Sequence, residues 1–356
     1  MKLNIKYLFA VVLIVFAVND ITFSQTGDLN KEKLKMKISA VKTCLQTMYD
    51  YAFGEPSKEG KKYLNAEYDK NGLISSRIVF DKEGEIDYKI KFVYDAADNI
   101  TAKTVYDGKD NIDSIFTFKY DVKNHLIEKA LLKGDESVIS RFQYEYDARG
   151  NLIKETKLDS DGGVESKVIS TYTEADKISK KVKYDSDGKP VEKFSYEYDS
   201  DGNQTVEAQY DDEGKVVFKY IKSYLEGGRR VETVKYDSDG KATEKIVAKY
   251  EGKRVIENSR YEDGDLIESF TFKYDGNGNM IENTKLGKES KLLFSNTYKY
   301  DPKGNILTEV NDNKDDDIYL KYEYKYDQKG NVKERITYDK LNEPVKLLSY
   351  EYEYHK

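Results

Sequence analysis

The residues with the strongest claim to chemistry are carboxylates beside glycine. Asp-x-Asp-Gly occurs at 159–162, 185–188, 199–202 and 237–240, and Asp312 with Asp315, Asp316 and Asp317 forms the densest acidic cluster. Calcium takes six or more oxygens, usually with a bidentate carboxylate further along the loop. Tight turns call for the same residues with no ion present. Asp accepts hydrogen bonds from turn amides, and Gly takes positive φ without steric cost. Turn chemistry is therefore the expected role of all five segments. His125 and His355 are the only histidines, and neither has sequence neighbours that would build a metal site or a nucleophilic triad. Carboxylates recur with a regular spacing, and no pair stands apart from it as a glycoside hydrolase pair would. No catalytic, cofactor-binding or metal residue is expected, so the chain reads as a non-enzyme without cofactors. Its binding residues are not legible.

These carboxylates sit in a repeat, the feature to seek before any other. Tyr-Asp recurs at Tyr68, Tyr94, Tyr120, Tyr146, Tyr198, Tyr274, Tyr300 and Tyr326, mostly 26 residues apart, with Tyr172, Tyr224, Tyr250 and Tyr352 in the remaining slots. A second series lies between them: Phe80, Tyr106, Leu132, Leu158, Tyr184, Tyr210, Tyr236, Tyr261, Leu286, Asp312 and Tyr338. Steps alternate between 12 and 14 residues. Each step holds one turn and one strand. In Tyr198–Asn203, Asp199 and Gly202 take the first and last positions of a type I turn closed by an αL glycine. Ile86, Tyr88, Ile90, Phe92 and Tyr94 alternate with Asp87, Lys89 and Lys91, as strand residues do. Around Tyr250 and Tyr261 each step is one residue short, and the missing residue falls in the turn, where a strand's facing is not disturbed.

The expected fold is all-β: a long antiparallel meander of about 22 strands in 26-residue hairpin repeats. At about 4.8 Å per strand the sheet is on the order of 100 Å wide, too wide to stay flat. The alternation predicts one aromatic face and one face of Lys, Glu, Ser and Thr. An apolar face of that extent is not stable in water. A coiled or curled sheet that closes on its own apolar face is therefore expected, with the tyrosines as core. Residues 25–62 precede the repeat domain of 63–356. Leu34, Ile38, Val41, Leu45 and Met48 fit one helix face, whereas Val41, Thr43, Leu45, Thr47 and Tyr49 alternate as a strand. Either element would cap the first edge of the sheet, ahead of a loop at Gly54–Ser57.

The address is read from the first residues. Lys2 and Lys6 precede an apolar run at Leu8–Val18, and Thr22-Phe23-Ser24 places small residues before a cut after Ser24. Residues 1–24 thus read as a signal peptide, and the run is too short to cross a bilayer comfortably. Secretion to the periplasm, cell surface or medium is expected, with no membrane span after cleavage. Cys44 is the only cysteine, so no disulfide forms within the chain. A net charge of −7 argues against nucleic-acid partners.

Tyr146-Asp-Ala-Arg-Gly-Asn-Leu152, Tyr274-Asp-Gly-Asn-Gly-Asn-Met280, Tyr300-Asp-Pro-Lys-Gly-Asn-Ile306 and Tyr326-Asp-Gln-Lys-Gly-Asn-Val332 resemble the RHS or YD repeats of bacterial surface proteins. Residues 34–41 with Phe53–Glu55 resemble the opening strand of small exported YD-type proteins, which tips that segment towards strand. The resemblance implies a coiling β-sheet that encloses a polypeptide or presents an adhesive surface. The spacing is longer than usual, and no Asp-Pro-x-Gly closing segment or toxin domain follows. The expected function is a non-catalytic binding or scaffold module at the cell envelope or outside the cell, meeting envelope polysaccharide or another surface protein. The alternative is a reduced RHS-type, toxin-associated protein that shields or carries a polypeptide.

Overall fold

The computed structural model describes Met36 and residues 40–356. The expected leader at 1–24, with Leu34 and Ile38, lies outside the described residues. Twenty-five strands follow one another from β1 (Val41–Ala52) to β25 (Pro344–Tyr354), with one short 3-10 turn at Lys288–Ser290. β2 (Glu55–Pro56) only folds back on the end of β1. From β3 (Lys61–Tyr68) onward each strand pairs antiparallel with the next in sequence, as hairpin connections require.

The sheet does not coil; it closes. β1 pairs with β3 on one side, Cys44 facing Ala66, and with β25 on the other, from Val41 opposite Tyr354 to Asp50 opposite Lys346. A meander of this length has two open edges, and β1 satisfies both at once. The result is a barrel of 24 strands. The segment before the repeats is a strand from Val41 onward, and it supplies the closure.

Turn chemistry builds the hairpins. The Asp69 carbonyl accepts from Gly72 N–H (3.0 Å) while its carboxylate accepts from the amides of Asn71 and Leu73 (2.8 Å each). Gly72 takes φ +77°. The same loop recurs at Asp95, Asp147, Asp199, Asp275, Asp301 and Asp327, where the Asn four residues on also bonds the carboxylate. The shortened steps use two-residue turns instead, Gly252-Lys253 and Asp263-Gly264, with Glu251 paired to Arg254 and Glu262 to Asp265.

This turn type adds one unpaired residue beside the loop, a β-bulge. The bulge overturns the expected one-sided aromatic face. In β5 (Ile86–Tyr94) Phe92 lies opposite Lys103 of β6 (Ile100–Asp107), and Lys103 lies opposite Phe116 of β7 (Ile112–Tyr120). Residues paired across strands share a face. Tyr106 pairs with Lys89, on the other face. The first tyrosine series and its Phe neighbours therefore occupy one face and the second series the opposite one. A cavity of about 890 Å³ spans seven consecutive strands and is lined by Phe142, Phe194 and Tyr196 of the first set. Only a concave face can form it, so that set lines the inside.

Neither face is a continuous apolar surface. On the outside a Lys lies over a second-series ring, as Lys91 over Tyr106 (5.2 Å), Lys167 over Tyr184 (5.0 Å) and Lys321 over Tyr338 (4.5 Å). On the inside the roles are exchanged between strands, as Lys103 over Phe116 (5.0 Å) and Lys129 over Phe142 (4.5 Å). Cation–π contact and burial of the Lys stem stand in for a packed core.

Two further devices hold the wall. Tyrosine hydroxyls of the first series donate to the backbone carbonyl 20 residues earlier, as Tyr94 to Ile74 (2.8 Å), Tyr172 to Leu152 (2.7 Å) and Tyr326 to Ile306 (2.7 Å). Across the shortened turn the bond survives as Tyr274 to Val255 (3.0 Å). Each bond links a hairpin to the one before it. The apolar cluster lies at the closure: Met36, Val41, Cys44, Ala66, Tyr68 and Ile74, flanked by Phe92, Tyr350 and Tyr352. His355 adds a clasp, its N–H donating to the Ala40 carbonyl (2.8 Å) and its ring meeting the Tyr68 carbonyl (3.1 Å).

Two stability tests follow from this arrangement. Leu348, 4 % exposed and opposite Met48 in the seam, should cost about 2–5 kcal/mol on truncation to Ala. Leu341→Ala, in a turn at 79 % exposure, should stay within about 0.5 kcal/mol. Urea unfolding of both variants checks the pair. By the same assay Tyr172→Phe should cost about 0.5–1.5 kcal/mol through its lost hydroxyl bond. Tyr184→Phe, on the outer series, should be near neutral.

Candidate functional site: the inner wall of the barrel

The pairing register places one height of the inner wall under a regular set of side chains. Arg77 lies opposite Ile90, and Phe92, two residues on, lies opposite Lys103; Phe116 is opposite Leu131, and Phe118 opposite Lys129. A two-residue stagger per pair of strands corresponds to a tilt of about 35°, that of a closed barrel. Positions one repeat apart thus lie at one level around the axis. With 24 strands at about 4.8 Å and that tilt, a circular wall is about 45 Å across at the backbone.

Read around the barrel, this ring is asymmetric. Arg335, the neutral Gln46 of β1, then Arg77, Lys103 and Lys129, form a basic arc that crosses the seam. Glu155, Lys181 and Glu207 follow as a mixed arc, then Thr233, Asn258 and Asn283 as a neutral one, and Glu309 ends the circuit. Between the ring positions stand the first-series strands with Phe116, Phe142, Phe194, Phe270 and Tyr322.

The arcs differ in how charge is balanced. In the mixed arc Lys222 donates to Glu207 (3.0 Å) and Lys183 meets Glu192 (3.3 Å). Further round, Glu268 accepts from both Arg260 (3.0 Å) and Lys285 (2.7 Å), and their cations hold its carboxyl below the usual range. Glu309 accepts from Tyr324 (3.0 Å), whose hydroxyl is pushed up by burial and by that charge. In the basic arc Lys103, Lys129 and Arg335 make no ion pair among the described residues; each lies over a ring instead. Desolvation lowers the Lys103 pKa, and the Arg77 charge lowers it further. Desolvation also lowers that of Lys129, against Glu155.

The inner wall stays accessible. Of its aromatic residues only Tyr68 and Tyr144 are buried, and Tyr88 keeps 37 % of its surface. The arrangement can hold an elongated guest through aromatic and charged contacts.

The residues singled out by sequence stand elsewhere. Asp159, Asp185, Asp199 and Asp237 each accept backbone amides of their own turn. No group of three metal-ligating side chains occurs among the described residues. Asp312, Asp315 and Asp317 face Lys314, Lys291 and Lys340. His125 bonds Asp121 (3.0 Å) and stacks on Tyr146 at 4.7 Å. The ring of inner charges went unread, because its spacing shows only once the bulge assigns those positions to the inside.

No protein-family model matches the sequence, and no curated protein matches it. Among solved structures the chain is similar to the TcdB2–TccC3–Cdc42 complex, with a TM-score of 0.43, 13% identity, and coverage of 80% of this chain and 19% of that one. It is similar to the Photorhabdus luminescens Tc holotoxin pore at TM-score 0.42 and 13% identity, over 86% of this chain and 18% of that one. A porin-like protein from Bacteroides uniformis gives TM-score 0.26 and 12% identity, over 88% and 96% of the two chains. The chain spans about a fifth of the length of the Tc components it matches.

Inner-wall charge has a stability cost that can be measured. A lysine whose folded pKa lies below its unfolded value disfavours folding while it is protonated, and that penalty fades as pH rises through the folded pKa towards the unfolded one. Lys103→Met should therefore raise the urea midpoint at neutral pH, and its advantage over wild type should shrink on approach to pH 10.5. A lowered midpoint would show that the ammonium's contact with Phe116 outweighs its desolvation.

Proposed function

We propose that this chain is a non-catalytic, exported barrel of RHS/YD type that receives a guest polypeptide against its inner wall. This takes up the shielding and carrying reading in preference to the surface-scaffold one. The observation that carries it is the closed wall around an accessible inner face rich in aromatic rings and charge. A scaffold that met partners only on its outside would be expected to fill its interior, because an accessible apolar lining forgoes burial energy.

The outer wall supports a barrel standing in water. Lys91, Lys167, Lys219, Lys245 and Lys321 project outward near mid-strand over their tyrosines. Lys119–Glu128, Lys154–Glu145 and Lys325–Glu334 form ion pairs nearer the turns. Cations on a lipid-facing strand cost about 2–4 kcal/mol each near the bilayer midplane. Among the described residues no helix is long and apolar enough to cross a membrane.

The test uses neighbouring residues of β11 (Val164–Tyr172). Ser170 pairs with Lys181 on the inner wall, and Thr171 is exposed on the outer one. In a Cys44→Ala background, Ser170→Cys and Thr171→Cys report the two sides. A small maleimide should label both, a large polyethylene-glycol maleimide only the outer site. An unfolded, reduced and carboxymethylated polypeptide should then protect the inner site alone. Equal reaction of both cysteines with the large reagent would sink enclosure, and an inner site inert to the small one would mean a filled barrel.

A further inference from the structure

We propose that the basic arc of the inner wall, Arg335, Arg77, Lys103 and Lys129, is the docking track for an extended acidic segment of the guest. The inference rests on the guest-holding reading above and adds the chemistry of what is held.

Three observations carry it. The chain has a net charge of −7, yet one sector of its inner wall presents four cations, interrupted only by the neutral Gln46 of β1, with no carboxylate at that ring level between Glu309 and Glu155. Elsewhere on the inner wall several cations are neutralised, as Lys222 is by Glu207, Lys183 by Glu192 and Lys285 by Glu268. Lys103, Lys129 and Arg335 have no such partner among the described residues, although desolvated cations are costly when unpaired. At the end of the arc the Tyr144 hydroxyl, in a side chain 7 % exposed, has no hydrogen-bond partner among the described residues. An incoming carboxylate supplies a partner to Lys103, Lys129, Arg335 and the Tyr144 hydroxyl.

Geometry selects an extended peptide. Arg77, Lys103 and Lys129 stand on alternate strands with a two-residue stagger, so adjacent cations are about 12 Å apart. An extended chain covers that distance in about four residues, which also returns its side chains to the same face. Acidic side chains at every fourth position, all on one face of the extended chain, would meet successive cations. A sugar chain would call for open aromatic faces to stack on, and here the rings of Phe116, Phe142 and Tyr322 are already covered by Lys103, Lys129 and Arg335.

The experiment is fluorescence anisotropy on residues 25–356 with labelled peptides of one length, carrying Glu or Gln at every fourth position. Polygalacturonate serves as unlabelled competitor. The Glu peptide should bind at least about tenfold more tightly than the Gln peptide, and its affinity should fall with added salt. Lys103→Gln with Lys129→Gln should weaken the Glu peptide by about tenfold or more. Lys167→Gln with Lys219→Gln, the same charge change on the outer wall, should leave it within about twofold. Far-ultraviolet circular dichroism confirms that both variants fold. Equal affinity for the two peptides would overturn the arc as a track while leaving guest binding intact. Polygalacturonate bound in place of the Glu peptide would overturn the polypeptide assignment. Failure of both peptides to bind, in protein whose inner cysteine is also inert, would remove the guest-holding reading itself.

Discussion

The structure depends on one strand that bonds on both sides. β1 offers one edge to β3 and the other to β25, and among the described residues no other strand pairing brings residues some 300 positions apart into register. Without it a 24-strand sheet has two exposed edges and only local contacts. With it, every strand of the wall has two neighbours, and tilt and stagger follow from closure. The seam is also where apolar burial concentrates, around Val41, Cys44 and Ala66, with His355 fastening the last residues to the first strand. Closure is a single non-local event on which all the local hairpins rely.

Away from the seam the wall is stabilised without a core. Directly paired Lys and aromatic residues bury each other's surfaces, and tyrosine hydroxyls tie each hairpin to the one before it. Because each repeat contacts mainly its neighbours, its stability is close to a sum of unit and interface terms. That explains how the shortened turns near Tyr250 and Tyr261 are tolerated. They alter one loop each and leave the ladder bond from Tyr274 intact. A wall built in this way has no need to fill its interior. A guest-holding function can therefore rest on it at a cost to folding confined to single inner-wall groups such as Lys103.

The repeat makes the wall regular, and departures from the repeat make it specific. Positions one unit apart fall on one ring, so a change of residue type at that position becomes a sector of the inner wall. Arg and Lys near the seam, mixed charge next, then Thr233, Asn258 and Asn283, divide the circumference into regions of different chemistry. Selectivity for a guest would reside in these sectors, while the tyrosine ladder and the Asp turns supply the frame.

Strand content, antiparallel order, turn positions and repeat length were all legible in the sequence, because each depends on residues within one hairpin. Tyr-Asp-x-x-Gly-Asn encodes its own turn, and alternation encodes its own strand. Two features were not legible. The facing of the second tyrosine series reversed, since a bulged residue beside each turn shifts the pleat by one and an even step in sequence then lands on the opposite side. The expected coiled sheet gave way to a closed barrel too, because closure turns on whether Val41–Asp50 pairs with Lys346–Tyr354, a contact between chain ends that no local pattern encodes. The inner ring, and with it the candidate site, needed both answers. Local sequence determined the hairpin, and only the tertiary structure decided which side of it faces inward and that the two ends of the sheet meet.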